Sequence, residues 1–338
     1  PASAEERPIA PVVAGLVNTV MVPAYERFAK EAGAQAARVG ALCEAPSPQT
    51  LAEAREGFAP LLSAFAGIEP YRFGPAREEN RYERLFFWPD RRGRGLRQVQ
   101  GVLASEDATA IDPATLTGKS VAVQGLPALE FVLFGTGSDD LAAAASYRCA
   151  YANAMAQAIA TVAEEMVAGW TGGFAQTMTA TGEANPAYRS DAEALQDILQ
   201  AAATQLELAG TQKLAAVIGA EPSAARPKRA PFWRSDLSLA MVSANVAAVR
   251  ALLEGGVADL LEDDTLVRSA LFELSQVDRA IGSLVADERS FEALTSDPDA
   301  HRRLAFAVIP MAAAERIIVE RIQGALGLAA GFNALDGD

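Results

Sequence analysis

Apolar residues recur at three- and four-residue spacing along most of the chain, the period of an α-helix that buries one face. For example, Leu51, Phe58, Leu62 and Phe65 fall on one face of a predicted helix. Strand-like alternation is nearly absent, since Val121-Ala122-Val123 is too short to form a sheet. The pattern therefore predicts an all-α protein.

Turn and cap residues divide this pattern into separate helices. Ser47 before Pro48 and Asp297 before Pro298 are typical helix starts. Prolines inside the periodic segments, such as Pro23 and Pro310, predict kinks. The predicted helices cover residues 8–43, 75–87, 92–104, 120–134, 138–180, 190–219, 236–255, 264–286 and 298–327.

The best linker candidate is the segment Thr181-Gly182-Glu183-Ala184-Asn185-Pro186, which is rich in turn-forming residues. Long helices joined by short turns favour antiparallel bundles. We therefore predict two helical-bundle domains of long, Pro-kinked antiparallel helices. The first covers residues 1–182 and the second covers residues 186–338.

Composition and charge narrow the choice of partners. The chain has 338 residues, half of them apolar, and a net charge of −14. Nucleic acid is excluded as a partner, because its binding depends on Lys and Arg that neutralise phosphates. No continuous apolar stretch of about 18 residues occurs, so no transmembrane helix is expected. The small, polar opening Pro1–Glu6 is typical of a terminus left after signal-peptide removal, which predicts export.

The cysteines and the histidine limit the chemistry. Cys43 and Cys149 belong to no CxxC pair; they form either one disulfide, as an exported protein permits, or two separate buried thiols. The single histidine, His301, lies near a helix start beside two arginines, where we expect a surface side chain. A histidine-pair zinc site of the HExxH type is therefore absent, and GxSxG and P-loop motifs are also missing.

Two segments of the first half combine charged and aromatic residues. Glu69 and Arg72 flank a Pro/Gly turn at a helix end, where they form either a local ion pair or a charged pocket wall. Trp88 and Asp90 follow two phenylalanines. These aromatic residues either plug the end of a bundle or line a site, and Asp90 either caps the next helix or lines that site.

Glu130 is the strongest single candidate for a site residue. It stands inside the apolar run Leu126–Phe134, where a carboxylate must be paired or shift toward its neutral form. The alternative is a structural pair with an arginine such as Arg72, Arg81 or Arg148. In the second half, Ser235 or Asp236 is predicted to cap a helix, and a helix start beside Arg234 could instead hold an anion.

These segments together resemble the imelysin-like family of bacterial envelope proteins, which includes peptidases of the M75 type and iron-regulated proteins. The resemblance extends over nearly the whole chain, with Arg234-Ser235 as a weaker match. The matching segments are Leu42-Cys43 with Pro46, Glu69–Pro75, Trp88-Pro89, Gly125–Gly135 and Arg148-Cys149.

The resemblance implies two helical bundles, export to the periplasm, often as a lipoprotein, and a link to iron or other metal uptake. The family's hallmark is Gly-x-His-x-x-Glu, in which His and Glu are proposed metal ligands. This chain keeps Gly125 and Glu130 but has Pro127 at the histidine position, and proline has no ligand atom. A metal ion at Glu130 would therefore need additional oxygen ligands.

The expected function is that of an imelysin-like exported binding or accessory protein linked to iron or metal uptake. The ligand is a metal ion, a metal chelate or a small anion, and the predicted binding residues are Glu130, Glu69, Arg72, Trp88, Asp90, Arg234 and Ser235. One alternative is an imelysin-type metallopeptidase, which the missing imidazole disfavours. The other is a structural or interaction protein that binds an envelope partner.

Overall fold

The structure is a computed structural model that describes residues 7–90 and 92–328. Within these ranges the regular structure consists of helices, and no strand is present. The all-α prediction is confirmed. The segment Pro1–Glu6, on which the prediction of a processed terminus rests, lies outside the described residues.

The first half is organised around two long helices that lie side by side, α1 (Ile9–Glu44) and α8 (147–179). The ring of Tyr25 in α1 lies 5.4 Å from that of Trp170 in α8. The ring of Phe28 packs 5.7 Å from that of Phe65 in α3. The helices are α1 (Ile9–Glu44), α2 (Pro48–Glu56), α3 (Phe58–Ile68), α4 (Arg81–Leu85), α5 (Arg94–Ser105), α6 (Pro113–Leu116), α7 (Leu126–Phe134) and α8 (147–179).

The second half is a bundle in which α11 packs along α13, and α10 packs against α11. Arg303 of α13 donates a hydrogen bond to Ser283 Oγ of α11 at 2.7 Å, which fixes the register of the two helices. The helices are α9 (191–218), α10 (Ser238–Glu254), α11 (Thr265–Val285), α12 (Phe291–Ser296) and α13 (298–325).

Several helices begin where the cap residues predict. Ser47 Oγ accepts a hydrogen bond from Thr50 N at 3.1 Å. Asp297 Oδ1 accepts one from Ala300 N at 2.8 Å. These side chains satisfy backbone donors that have no partner inside the helix. The caps predicted at both positions are confirmed.

Other predicted boundaries are wrong. Residues 75–87 form short 3₁₀ turns and only the five-residue α4, because Glu79 and Asn80 adopt left-handed backbone conformations. The helix predicted from residue 138 begins at Tyr147, where Ser146 caps it. The helix predicted from residue 120 begins at Leu126, after a break at Gly125.

Wide π turns interrupt four of the long helices. The first, Leu16–Met21, ends just before Pro23. Proline supplies no backbone N–H, so it is tolerated where the regular hydrogen-bond ladder is already altered. The others are Trp170–Phe174, Leu208–Ala215 and Ile317–Ile322.

One continuous core joins the two halves. α3 packs against α10, and the ring of Phe58 lies 5.8 Å from that of Phe232. Within the first half, a disulfide joins Cys43 at the end of α1 to Cys149 at the start of α8, with 5.5 Å between their Cα atoms. The division into domains 1–182 and 186–338 stays a prediction.

Two helices of the described residues are long and apolar enough to cross a membrane by length and composition, and the expectation of no transmembrane helix stays a prediction. They are Ile9–Glu44, with a mean hydropathy of 1.3, and Ser238–Leu260, with 1.2. Both pack against other helices, and half of the most apolar window of Ser238–Leu260 is buried. Core helices pass the same test of length and composition.

Candidate functional site

A pocket of about 490 Å³ lies between α5 and α7 of the first half and the loop 228–234 of the second. Its aromatic lining consists of Phe86, Phe87, Trp88, Phe131, Phe232 and Trp233. Its charged lining residues are Asp90, Glu130, Lys228, Arg229 and Arg234. A mainly apolar cavity with a few converging polar groups is the usual form of a small-molecule site.

The aromatic wall is built from both halves of the chain. Phe86 stacks on Phe232 with ring centroids 5.6 Å apart and stacks on Trp88 at 5.9 Å. Trp88 Nε1 donates a hydrogen bond to the carbonyl oxygen of Arg229 at 3.2 Å. The polar atom of the indole is therefore satisfied by the opposite half while the side chain lines the pocket.

Glu130 is buried at the base of this wall, with 2% of its surface exposed. Its Oε1 accepts hydrogen bonds from Arg234 N at 2.9 Å, Ser235 N at 3.0 Å and Ser235 Oγ at 3.0 Å. Its Oε2 lies 3.8 Å from Arg234 Nη1. Burial raises the pKa of Glu130 despite the opposing effect of these hydrogen bonds and the Arg234 charge.

The arginine that pairs with Glu130 is therefore Arg234, and none of the three predicted alternatives occupies that place. Arg81 pairs with Glu165 at 3.1 Å. Arg148 donates to backbone carbonyl groups, among them that of Val132 at 3.1 Å. Sequence spacing could not select the partner, because it comes from the other half of the chain.

The segment around Arg234 and Ser235 is a turn, and α10 begins only at Ser238. The helix caps predicted at Ser235 or Asp236 are therefore wrong. Asp236 instead accepts a hydrogen bond from Phe291 N at 2.9 Å. The anion that the Arg234-Ser235 backbone holds is the carboxylate of Glu130 itself.

Two of the three cationic residues that line the pocket lie over aromatic rings. The Arg234 guanidinium lies 4.4 Å from the ring centroid of Trp233 and 5.3 Å from that of Phe131. Lys228 Nζ lies 5.5 Å from the Trp233 ring. Cations held over aromatic faces are stabilised by the ring quadrupole. The pocket thus combines aromatic surface with positive charge at one edge.

Asp90 caps α5 and also lines the pocket. Its carboxylate accepts hydrogen bonds from the backbone N–H groups of Arg94 at 2.7 Å, Gly95 at 2.9 Å and Leu96 at 3.3 Å. Both alternatives for Asp90 thus hold. Both oxygens of its carboxylate accept hydrogen bonds from the first residues of α5.

Glu69 belongs to a separate, buried cluster that does not line the pocket. With 1% of its surface exposed, it accepts hydrogen bonds from Lys213 Nζ at 2.6 Å, Asn245 Nδ2 at 2.8 Å and Tyr82 Oη at 2.9 Å. Burial acts to raise the pKa of Glu69, but Lys213 and Arg72 outweigh it, so the pKa lies below its usual value. Glu69 is therefore held as a carboxylate.

Arg72 contacts the same cluster, but its guanidinium forms no ion pair with the Glu69 carboxylate. Its Nε donates to the backbone carbonyl of Glu69 at 3.0 Å, and its guanidinium lies 4.4 Å from the Tyr82 ring. The local Glu69–Arg72 ion pair is thus replaced by a Glu69–Lys213 pair. Lys213 was missed in the sequence, although a lysine among the apolar residues of α9 resembles the signal that singled out Glu130.

The side chains around Glu130 offer few ligands to a metal ion. The ranges 7–90 and 92–328 contain no group of three or more His, Cys, Asp or Glu side chains that could hold one. Pro127 lines the pocket where the resemblance implies a histidine. His301 is buried rather than on the surface, and its Nε2 lies 3.1 Å from the carbonyl oxygen of Ile218. The residues present do not fit a zinc-type site.

Gly125 precedes α7 with a φ of +81°, and a Cβ atom there would lie 2.3 Å from the carbonyl oxygen of Arg84. The contact is to backbone, so a neighbouring side chain cannot rotate away to relieve it. We expect Gly125→Ala to lower the free energy of unfolding by about 1–3 kcal/mol. Urea unfolding measures this. Gly101→Ala in α5, where a Cβ meets open space, is the control and should not be destabilising.

Two solved structures share this fold. A crystal structure of an imelysin-like protein from Psychrobacter arcticum 273-4 is 19% identical, covers 98% of this chain and 99% of its own, and superposes with a TM-score of 0.78. A second, described as a "putative iron-regulated protein A precursor" from Parabacteroides distasonis ATCC 8503, is 17% identical, covers 94% and 97%, and has a TM-score of 0.77. No curated protein matches the chain at a significant level.

The family model Peptidase_M75, described as "Imelysin", matches residues 21–313. That range contains both buried carboxylates, Glu69 and Glu130. It also contains their partners, Lys213 and Arg234. The match extends over most of the chain, and the chain belongs to the imelysin family.

Proposed function

We propose that this chain is an exported envelope protein that binds an anionic aromatic organic ligand in the pocket between its halves. The observation that carries the proposal is the combination of six aromatic side chains with Arg234 and Lys228 in one cavity. The proposed class includes aromatic chelates of ferric iron.

The aromatic lining favours a flat ligand. Phe86, Trp88 and Phe232 are stacked on one another, so their orientation is set before a ligand arrives. Preorganised aromatic walls reduce the entropy lost on binding. A cavity of about 490 Å³ fits a small organic molecule and far exceeds the space that a bare ion needs.

The charges favour an anionic group on that ligand. Lys228 is 64% exposed, and its ion pair with Glu292 is long at 4.0 Å, so its ammonium is available to a ligand. The Arg234 guanidinium is 19% exposed and lies 3.8 Å from Glu130. A carboxylate or phenolate near Trp233 would meet both cations.

The link to iron and to the envelope rests on supporting observations. The Parabacteroides relative is described as iron-regulated and as a precursor. A disulfide such as Cys43–Cys149 is typical of proteins that leave the reducing cytosol. An accessory role in iron uptake, with or without a lipid anchor, is part of this proposal. The proposal does not include peptidase activity, because the side chains around Glu130 lack the ligands that a catalytic metal needs.

Calorimetric titration tests the proposed ligand class. The probes are 2,3-dihydroxybenzoate, its ferric complex, and the neutral analogue 2,3-dihydroxybenzamide. We expect the benzoate and its complex to bind more tightly than the amide. Lys228→Gln should weaken benzoate binding up to about fivefold, the range of an exposed ion pair, and leave the amide unaffected.

A blocking variant and its control show whether binding occurs in this pocket. Ala216 lines the pocket and is exposed, so Ala216→Trp should fill the cavity without disturbing the core. Ala37→Trp, at an exposed position of α1 away from the pocket, is the matched control. Equal affinity for benzoate and amide, or unchanged binding by Ala216→Trp, would contradict the proposal.

A further inference from the structure

Exposed apolar side chains are concentrated on α11 and α13. Four of the five large apolar side chains that are exposed in the described residues lie on these two helices. The most exposed are Ile309 at 64%, Phe272 at 59% and Phe306 at 50%. Isolated exposed apolar residues are ordinary, but a group on one pair of helices indicates an interaction surface.

The register of the helices places these side chains together. Arg303 contacts Ser283, and Arg279 of α11 lines the same shallow groove as Arg302 and Phe306 of α13. The helices are therefore antiparallel at this level, and in this register Phe272 lies about one and a half turns beyond Ile309 along the pair of helices. The helical period puts Phe306 and Ile309 on the same side of α13.

Arginines surround this apolar group. Arg302 and Arg316 continue the stripe of Phe306 and Ile309 along α13, and Arg279 continues the stripe of Phe272 along α11. We call these six residues the basic–apolar face: Phe272, Arg279, Arg302, Phe306, Ile309 and Arg316. Arg302 pairs with Asp299 in an exposed contact, whereas the described residues form no ion pair with Arg279 or Arg316.

The groove between the two helices is lined by three arginines and one aspartate, Asp299, so its local charge is positive, whereas the whole chain carries −14. Exposed arginines beside exposed phenylalanines match the two layers of an anionic membrane surface. The guanidinium groups bind lipid phosphates, and the apolar side chains enter the boundary between headgroups and acyl chains. Because α11 and α13 lie side by side, they together present a broad face that can lie flat on such a surface.

We propose that the basic–apolar face docks on an anionic phospholipid surface. The net charge of the whole chain is −14, which opposes attachment through its acidic surfaces and favours attachment through this face. The interaction is weak and salt-sensitive, because exposed charges are screened within about 8–10 Å at ordinary ionic strength. It is independent of the pocket ligand proposed above.

Sedimentation with lipid vesicles tests this inference. The full chain is mixed with vesicles of phosphatidylcholine alone or of phosphatidylcholine with phosphatidylglycerol, at low and at high salt. We expect binding only to the vesicles that contain phosphatidylglycerol, and its loss at high salt. Arg279→Glu/Arg302→Glu and Phe306→Ser/Ile309→Ser should each weaken binding roughly tenfold or more.

A matched control carries the same change of charge on another surface. Arg94 and Arg97 are exposed on α5, so Arg94→Glu/Arg97→Glu should bind vesicles as the unmodified chain does. Thermal unfolding checks that each variant is folded. No sedimentation with anionic vesicles, equal sedimentation with neutral vesicles, or equal loss in the control variant would overturn the inference. Crosslinking of this face to a protein partner without vesicle binding would overturn it as well.

Discussion

Glu69→Gln should lower the free energy of unfolding by about 3–5 kcal/mol, because it leaves the Lys213 ammonium buried without its counter-charge. Lys213 and Glu69 have side chains that are 2% and 1% exposed, and their charged atoms are 2.6 Å apart. The amide keeps the size of the carboxylate, so the loss reflects charge and hydrogen bonding rather than a cavity. Urea unfolding of the variant and the unmodified chain measures the difference.

A double-mutant cycle separates the pair from its surroundings. Lys213→Met alone leaves Glu69 buried with Asn245 and Tyr82 as its remaining donors. Glu69→Gln/Lys213→Met removes both charges together. We expect the double variant to lose up to about 3 kcal/mol less than the sum of the single variants. Additive losses would mean that the two groups stabilise the fold separately.

The pH dependence gives a second readout of the same pair. The pKa of Glu69 in the folded protein is lower than the ordinary value of 4.5. Its contribution to stability is therefore fully present above that value and is lost as the pH falls through the lower pKa of the folded state. Glu69→Gln should show a shallower loss of stability below about pH 4.5 than the unmodified chain.

Reduction of the Cys43–Cys149 disulfide should lower the free energy of unfolding by about 4–5 kcal/mol in the chain-entropy model. The bond joins residues separated by 106 positions, so it strongly restricts the unfolded chain. Urea unfolding with and without a reductant measures the effect. Cys43→Ala/Cys149→Ala should unfold at the lower stability in both conditions, and a response of this variant to reductant would show that the reductant acts elsewhere.

Local signals predict much of the helical architecture. Ser47 and Asp297 mark true helix starts, because a cap is a contact between residues close in sequence. The failures occur where backbone conformation is set by distant packing. Gly125 breaks the predicted helix with a φ of +81°, and the carbonyl oxygen of Arg84 lies where a Cβ atom would stand, but nothing within residues 120–134 reveals that neighbour.

The sequence predicts which residues are candidates for the site, but it does not predict which of them lie together in space. Glu130, Trp88, Asp90 and Arg234 lie around one pocket, and the isolated carboxylate in an apolar run is the signal that identifies it. Glu69 and Arg72 are predicted for the same site but belong to a different cluster. The two cases differ only in tertiary contacts with the second half, which no local spacing encodes.

Both buried carboxylates have their cationic partners on the far side of the predicted linker. Glu69 meets Lys213 and Glu130 meets Arg234, so each half of the chain contributes one member of each pair. A chimera that joins the first half of this chain to the second half of a distant relative keeps both pairs only if that second half carries cations at the places of Lys213 and Arg234. Exchange of segments within the family is therefore tolerated only when these positions travel together, which ties the evolutionary histories of the two halves to each other.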